Sequence, residues 1–397
     1  MFKRLALFAL LAATPAHAET LSAEIGRTGL TATEARLSAL PSTSDDETLA
    51  LGAVQFLRAI EGSFQTRWTY GMTDRSGMLP LLRLPLDDNP APTAFDPKVI
   101  AQIFSDAETG LAATITTFAK LSDTSSAAVD LALADLWFDV NQNTTREQGE
   151  GLADIVGTFT TGLPEAGAAQ PTLPSIRFDV ADAAWASAYA HLLSGVANAV
   201  LAYDPSEPIA RILDARLKLA EFGPAPPSFL TGQDQIPDEI DMIAMILASL
   251  DQQPDATRAA AAHGHFLAMI EDNRRFWRLV DLETDNTREW LPNPRQTAAI
   301  GLSLPPETGA TWLAVLAEAE AALKGQKLIP YWRAGEKGGV NLQQVFLDPR
   351  PVDAAGWIQG WAATPYLQAG PLMTTTAWDQ FAGMMTGDAM LFALWLN

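Results

Sequence analysis

Apolar residues recur three and four positions apart through most of the chain, the spacing that lays them along one face of an α-helix. From Ser44 the stripe is Leu49, Ala53, Leu57, Ile60, Phe64 and Trp68, and Ser44 with Glu47 forms a capping-box start. Thr31 with Glu34 offers a shorter version of that start. A second stripe runs through Ile100, Phe104, Ala107, Leu111, Ile115 and Phe118. An alanine-rich helix is expected over 179–203, with Trp185, Tyr189, Leu192, Val196 and Val200 as its stripe. Ala184, Ala188, His191 and Gly195 give that helix a small-residue neighbour face. Further helices are expected near 206–220, 236–250 and 254–280, with Pro254 in a first turn that tolerates it. Pro305 and Pro306 open one more, carrying Trp312, Leu316, Ala319 and Leu323 and closed by Lys324 and Gly325.

The pattern breaks over 71–97, where Gly71, Gly77, Pro80, Pro85, Pro90, Pro92 and Pro97 cannot all sit inside helices. This stretch reads as an extended strap lying across the helices, since Leu79, Leu81, Leu82 and Leu84 need cover. Thr160 to Ser175 and the Pro224, Pro226, Pro227 stretch read as loops. In the last seventy residues, glycine and proline interleave with aromatics such as Tyr331, Trp332, Trp357 and Trp361, so short helices and ordered loops are expected. The one strand pair anticipated lies near Val340–Leu347. The fold class that follows is mainly α, a single large multi-helix domain over 19–397 with a proline-rich extended strap. A division between residues 160 and 178 is the alternative.

Residues 1–18 have the order of a secretory signal peptide: Lys3 and Arg4, an apolar run from Leu5 to Ala13, then Ala16-His17-Ala18. That run is shorter than the roughly 20 residues a membrane-spanning helix needs. The expectation is a periplasmic or secreted protein with no membrane insertion in the mature form. Cysteine is absent, which removes disulfides, thiolate metal sites and lipid-anchoring cysteines. The net charge of -21 opposes phosphate backbones and anionic lipid, so no nucleic-acid partner is expected. The same charge concentrates divalent cations near the surface.

The clearest chemistry lies between residues 139 and 150. Asp139, Asn141, Asn143, Glu147 and Glu150 fall at positions 1, 3, 5, 9 and 12 of a twelve-residue loop, with the Thr145 carbonyl at position 7. Calcium takes six to eight hard oxygens, and ligands on alternate residues wrap around one point. The loop resembles the EF-hand and dockerin-like calcium loops, and the resemblance covers only these twelve residues and their flanks. It implies one calcium ion in a structural role, held by those six residues. Two positions depart from the pattern: Thr144 stands where the sharp turn normally takes glycine, and Arg146 stands at a usually apolar position. A polar, well-capped turn is the alternative reading. Leu131, Ala134, Leu136, Trp137 and Phe138 are expected to form an approach helix, and Leu152, Ile155, Val156 and Phe159 an exit helix.

Asp281, Glu283, Asp285, Thr287, Arg288 and Glu289 echo the loop but meet Pro292 at the twelfth position, so no second full calcium site is expected. Around them, Arg274, Arg278, Arg288, Trp290 and Arg295 are candidates to clamp an anionic or sugar ligand. The alternative for that segment is an ion-pair seam. As a whole the chain resembles exported bacterial proteins to which no activity is assigned, and the run from Asp285 to Arg295 contributes most to that resemblance. His191, His263 and His265 form no zinc-protease motif, and His263 and His265 should point to different faces. The expected function is an exported soluble helical protein with one structural calcium site. One alternative is a polysaccharide-active lyase or hydrolase on an α/α toroid, using His191 or a carboxylate as acid or base. The other is an envelope protein-binding module; a glycan or an envelope protein would then be the partner.

Overall fold

Ser44 accepts the N–H of Glu47 and Glu47 accepts the N–H of Ser44, closing the expected capping box at the start of α2 (Asp45–Thr69). A computed structural model describes residues 20–72, 80–82, 84, 86–155, 173–223, 236–301 and 304–385. The signal segment, most of the 160–178 stretch, the Pro224–Pro227 loop, and Leu79, Pro85, Val156 and Phe159 lie outside the described residues.

The fold is mainly α. Preceding α2 is α1 (Leu21–Ser38), which starts at the Thr20 cap rather than near Thr31 and is kinked at Gly29, where φ is +78°. Then come α3 (Val99–Phe118), α4 (Val180–Ala202), α5 (Ser206–Ala220), α6 (Ile236–Leu250) and α7 (Ala256–Leu282). The C-terminal part holds α8 (Thr308–Leu323) and the short α9 (Leu342–Leu347), α10 (Ala354–Gln359) and α11 (Thr376–Met384). Pro254 does not enter α7; it precedes the Asp255 cap, whose carboxylate takes the N–H groups of Thr257 and Arg258.

Long helices α2, α3, α4 and α7 make the central stack. Helices α2 and α3 are antiparallel, with Gln55 bonded to Thr117 and Ala59 against Gly110. Antiparallel pairing also joins α4 and α7, since Ser187 meets Asp272, His191 meets His265 and Asn198 meets Arg258. The small-residue face of α4 permits this approach: a Cβ on Gly195 would stand 2.6 Å from the Phe266 ring. One apolar core centres on Val180, Phe276, Trp312 and Phe381, a second on Ile25, Val54, Phe64, Phe138 and Ile176, and a third on Phe104, Leu111 and Leu193.

Strands are more numerous than the sequence pattern indicates. β1 (Ala128–Ala132) pairs antiparallel with β2 (Ser175–Asp179), with Asp130 opposite Arg177. β3 (Ile329–Pro330), β4 (Gly338–Val340) and β5 (Leu367–Ala369) form a second small antiparallel sheet in that order. Val340 ends β4, whereas 342–347 is helical, so the anticipated strand pair there is wrong. The approach helix over 131–138 is also absent: β1 continues into a 3-10 turn, Leu133–Asp135, and then into extended chain. Pairing with β2, a partner far along the chain, overrides the helical spacing of Leu131, Ala134 and Phe138. In the strap, Pro80–Leu82 is a 3-10 turn that buries Leu81, and Leu86 joins the second core. Among the described residues, no helix is long and apolar enough to cross a membrane.

Candidate functional site

Extended backbone on both sides of residues 139–150 closes the loop at its base. Trp137 pairs with Gly151, Phe138 donates its N–H to the Glu150 carbonyl at 2.9 Å, and Leu152 donates to Leu136 at 3.0 Å. The Trp137 indole is buried in the space left by Gly29 and donates to the Ile25 carbonyl at 2.8 Å. Residues 152–155 are helical, in line with the start of the expected exit helix.

Within the loop, alternate side chains accept backbone N–H groups and turn the chain inward. Asp139 Oδ2 accepts from Thr144 at 3.0 Å, Asn141 Oδ1 from Asn143 at 3.0 Å, and Asn143 Oδ1 from Thr145 at 2.8 Å. Glu147 accepts from the side-chain amides of Asn141 and Asn143 at 2.8 and 3.0 Å. Glu150 is buried, with Oε1 on the Val140 N–H and Oε2 on the Glu147 N–H at 3.0 and 2.9 Å. Burial pushes the Glu150 carboxyl above the ordinary range, and Asp139 adds to that push.

Backbone at Gln142 and Thr144 is left-handed, with φ of +63° and +62°. Thr144 therefore adopts the turn that glycine serves in EF-hand loops, despite its branched Cβ. Arg146 does not fill the loop with its own charge: its guanidinium donates to the Ala134 carbonyl at 3.0 Å. A strap residue, Asp87, closes over the far side, so that a Cβ on Gly149 would lie 2.4 Å from its carboxylate.

Helix α2 holds the first loop residue from below. Glu61, fully buried, accepts the Asp139 N–H, and the Gln65 amide donates to the Asp139 carbonyl at 2.9 Å. Arg58 pairs with Glu61 from the same helix face. Asp139 is itself buried, and its Oδ1 has no hydrogen-bond partner. All the oxygens in reach are hard donors of the type calcium takes, and a buried carboxylate oxygen left open suits a cation more than a neutral turn. Among the described residues, no three His, Asp or Glu side chains converge closely enough to hold a metal as they stand. Glu147 faces the asparagine amides, while Glu150 faces backbone N–H groups.

The arginine candidates are not brought together. Arg274 pairs with Glu271 and Glu320, Arg278 with Asp123, and Arg288 with Asp130. Arg295 donates to the carbonyls of Asp281 and Glu283, both at 3.0 Å. Trp290 sits between the first and second cores, its ring 5.6 Å from Trp185 and 6.3 Å from Phe178. Of the echo residues, Glu283, Asp285 and Glu289 instead lie near enough to the Asp179–Asp182 capping box of α4 to repel its carboxylates. Burial and mutual repulsion raise Asp179, Asp182, Glu283 and Glu289, and Glu283 reaches about 7. His263 bonds to the Leu323 carbonyl and His265 to His191, so these two do face different ways.

Comparison of the chain with known protein families, curated proteins and solved structures gives no match.

Proposed function

We propose that this is an exported helical protein in which the 139–150 loop takes a calcium ion that braces the chain against α2. The unpartnered, buried Oδ1 of Asp139 carries the reading. Asp139, Asn141, Asn143, the Thr145 carbonyl, Glu147 and Glu150 would hold the ion. Calcium would supply positive charge beside two buried carboxylates, Asp139 and Glu150, the first of which pushes the second upward. No reaction is assigned to it; its role is to hold the loop closed.

Glu147 and Glu150 now accept four N–H donors that an ion would have to displace or share. Binding should therefore fall in the weak range of extracellular calcium modules, on the order of 10⁻⁴–10⁻³ M. The proposal is tested by calorimetric titration of the chelator-treated mature chain with calcium. One site in that range, with a Tm that rises with calcium, supports it. At about 100 times Kd the gain in stability is roughly 2.7 kcal/mol, and Glu150→Gln should remove most of it. A melting curve indifferent to both calcium and chelator would refute it. Export has its own test: the N-terminus of protein recovered from outside the cytoplasm should be Glu19.

A further inference from the structure

Two short stretches in the C-terminal part come together at the surface. One is the turn after β3, Tyr331-Trp332-Arg333, and the other is the end of α10, Gln359-Gly360-Trp361. Tyr331, Arg333, Gln359, Gly360, Trp361 and Thr364 line an open depression of about 410 Å³. Its walls are fixed. The Tyr331 hydroxyl donates to the Trp357 carbonyl at 2.5 Å, and the Trp361 indole donates to Asp353 at 2.9 Å. Thr364 caps the Trp361 carbonyl at 2.7 Å. Gly360 keeps the floor low, since a Cβ there would stand 3.5 Å from the Tyr331 hydroxyl and 3.7 Å from the Arg333 side chain.

Three features distinguish this place from ordinary surface. Trp332 and Trp361 are 71% and 55% exposed, and among the described tryptophans only these two are exposed. Among the described residues the Arg333 guanidinium makes neither a hydrogen bond nor an ion pair; it lies over the Trp332 ring at 4.9 Å. In a chain with 47 acidic residues, an arginine left without a carboxylate between fixed aromatic rings is poised for one from outside. Gln359 uses its Oε1 on the Trp361 N–H, which leaves its amide group facing solvent.

We propose that this depression binds a sugar carrying a carboxylate, one or two rings long. Trp361 and Tyr331 offer faces for the C–H side of a pyranose, Arg333 takes the carboxylate, and Gln359 and Thr364 take hydroxyls. The depression is at the small end of ligand-site volumes, which fits one or two rings. The charge of -21 on the chain disfavours a long polyanion. This site is independent of the calcium loop.

The test is calorimetric titration of the full mature chain with digalacturonate, its methyl ester, galactose and galactose phosphate. Digalacturonate should bind at one site, and the ester and galactose about tenfold or more weakly. Arg333→Gln should lose a similar factor with Tm nearly unchanged, because Arg333 makes no hydrogen bond or ion pair in the fold and only lies over the exposed Trp332 ring; Trp361→Phe should weaken both acidic and neutral sugars. Equal binding of ester and acid, or undiminished binding by Arg333→Gln, overturns the proposal. So does tighter binding of the sugar phosphate, or no binding of digalacturonate.

Discussion

Glu61 accepts the backbone N–H of Asp139 at 2.7 Å, although 78 positions of sequence separate them. Through this bond and the Gln65–Asp139 bond, α2 sets the height at which the 139–150 loop begins. Burial raises the Glu61 carboxyl and Asp139 adds to it, while Arg58 and the Asp139 N–H oppose the rise. Glu61→Ala should cost about 3 kcal/mol, because it removes one of the two carboxylates paired with Arg58, leaving Glu34, and leaves the buried Asp139 N–H without an acceptor. Denaturant melts would check this. A loss below about 0.5 kcal/mol would mean that the loop is not anchored through Glu61.

Thr144 occupies a left-handed turn that its branched side chain disfavours. Thr144→Gly keeps the backbone N–H that donates to the Asp139 carboxylate and removes the Cβ that a left-handed turn disfavours. Stability should rise by roughly 1 kcal/mol, less than the strain itself because glycine is freer when unfolded. Calcium affinity should rise with it if the same turn is kept in the bound loop. A destabilised variant would show that the Thr144 side chain holds the loop by contacts that outweigh the strain.

Much of the helical frame was legible because capping and periodicity are local. The Ser44–Glu47 box opens α2, Asp179 caps α4, and Gly325 follows α8 with φ of +65°. The loop's alternate polar residues were visible in the sequence, and in the fold Asp139, Asn141 and Asn143 accept backbone N–H groups within the loop. Its approach was not, because β1 exists only through pairing with β2, more than forty residues away. Glu61 and Gln65 escaped notice for the same reason: nothing local marks a helix residue that meets a distant loop. Arg333 resembles any surface arginine until the fold places Gly360 and Trp361 beside it.

Glu283 links the echo segment to the start of α4. Its carboxyl is raised to about 7 by burial first, then by Asp179, Glu289 and Asp285, against a bond from Gln296. Below pH 4.5 it is protonated in both folded and unfolded chains. Between about 4.5 and 7 the unfolded chain ionises while the folded one holds its proton, so stability falls as pH rises through that window. Glu283→Gln keeps an acceptor for Gln296 and removes the penalty. Above pH 7 it should stabilise the protein by about 1–2 kcal/mol, a figure reduced for partial solvent screening, and below pH 4 it should change little. Melts at several pH values read the difference; a gain that does not vary with pH would point to packing instead of charge.

His191 and His265 titrate with the opposite sign. Their Nδ1 atoms are 2.9 Å apart across the α4–α7 seam, so a single proton can bridge them and two cannot. Burial lowers both. Asp272, 3.9 Å from His191 Nε2, and Glu108 pull the other way, although Ser187 also bonds Asp272 and Arg258 also pairs with Glu108. Depressed histidines add stability that is present above the unfolded value of about 6.5 and lost as pH falls through the folded values. NMR titration of the ring carbons should show both protonating below pH 6.5, in two steps. In His265→Gln, the His191 midpoint should move upward, since the like charge is gone and Asp272 remains. A His191 midpoint unchanged by that substitution would show that the two rings are not in contact in solution.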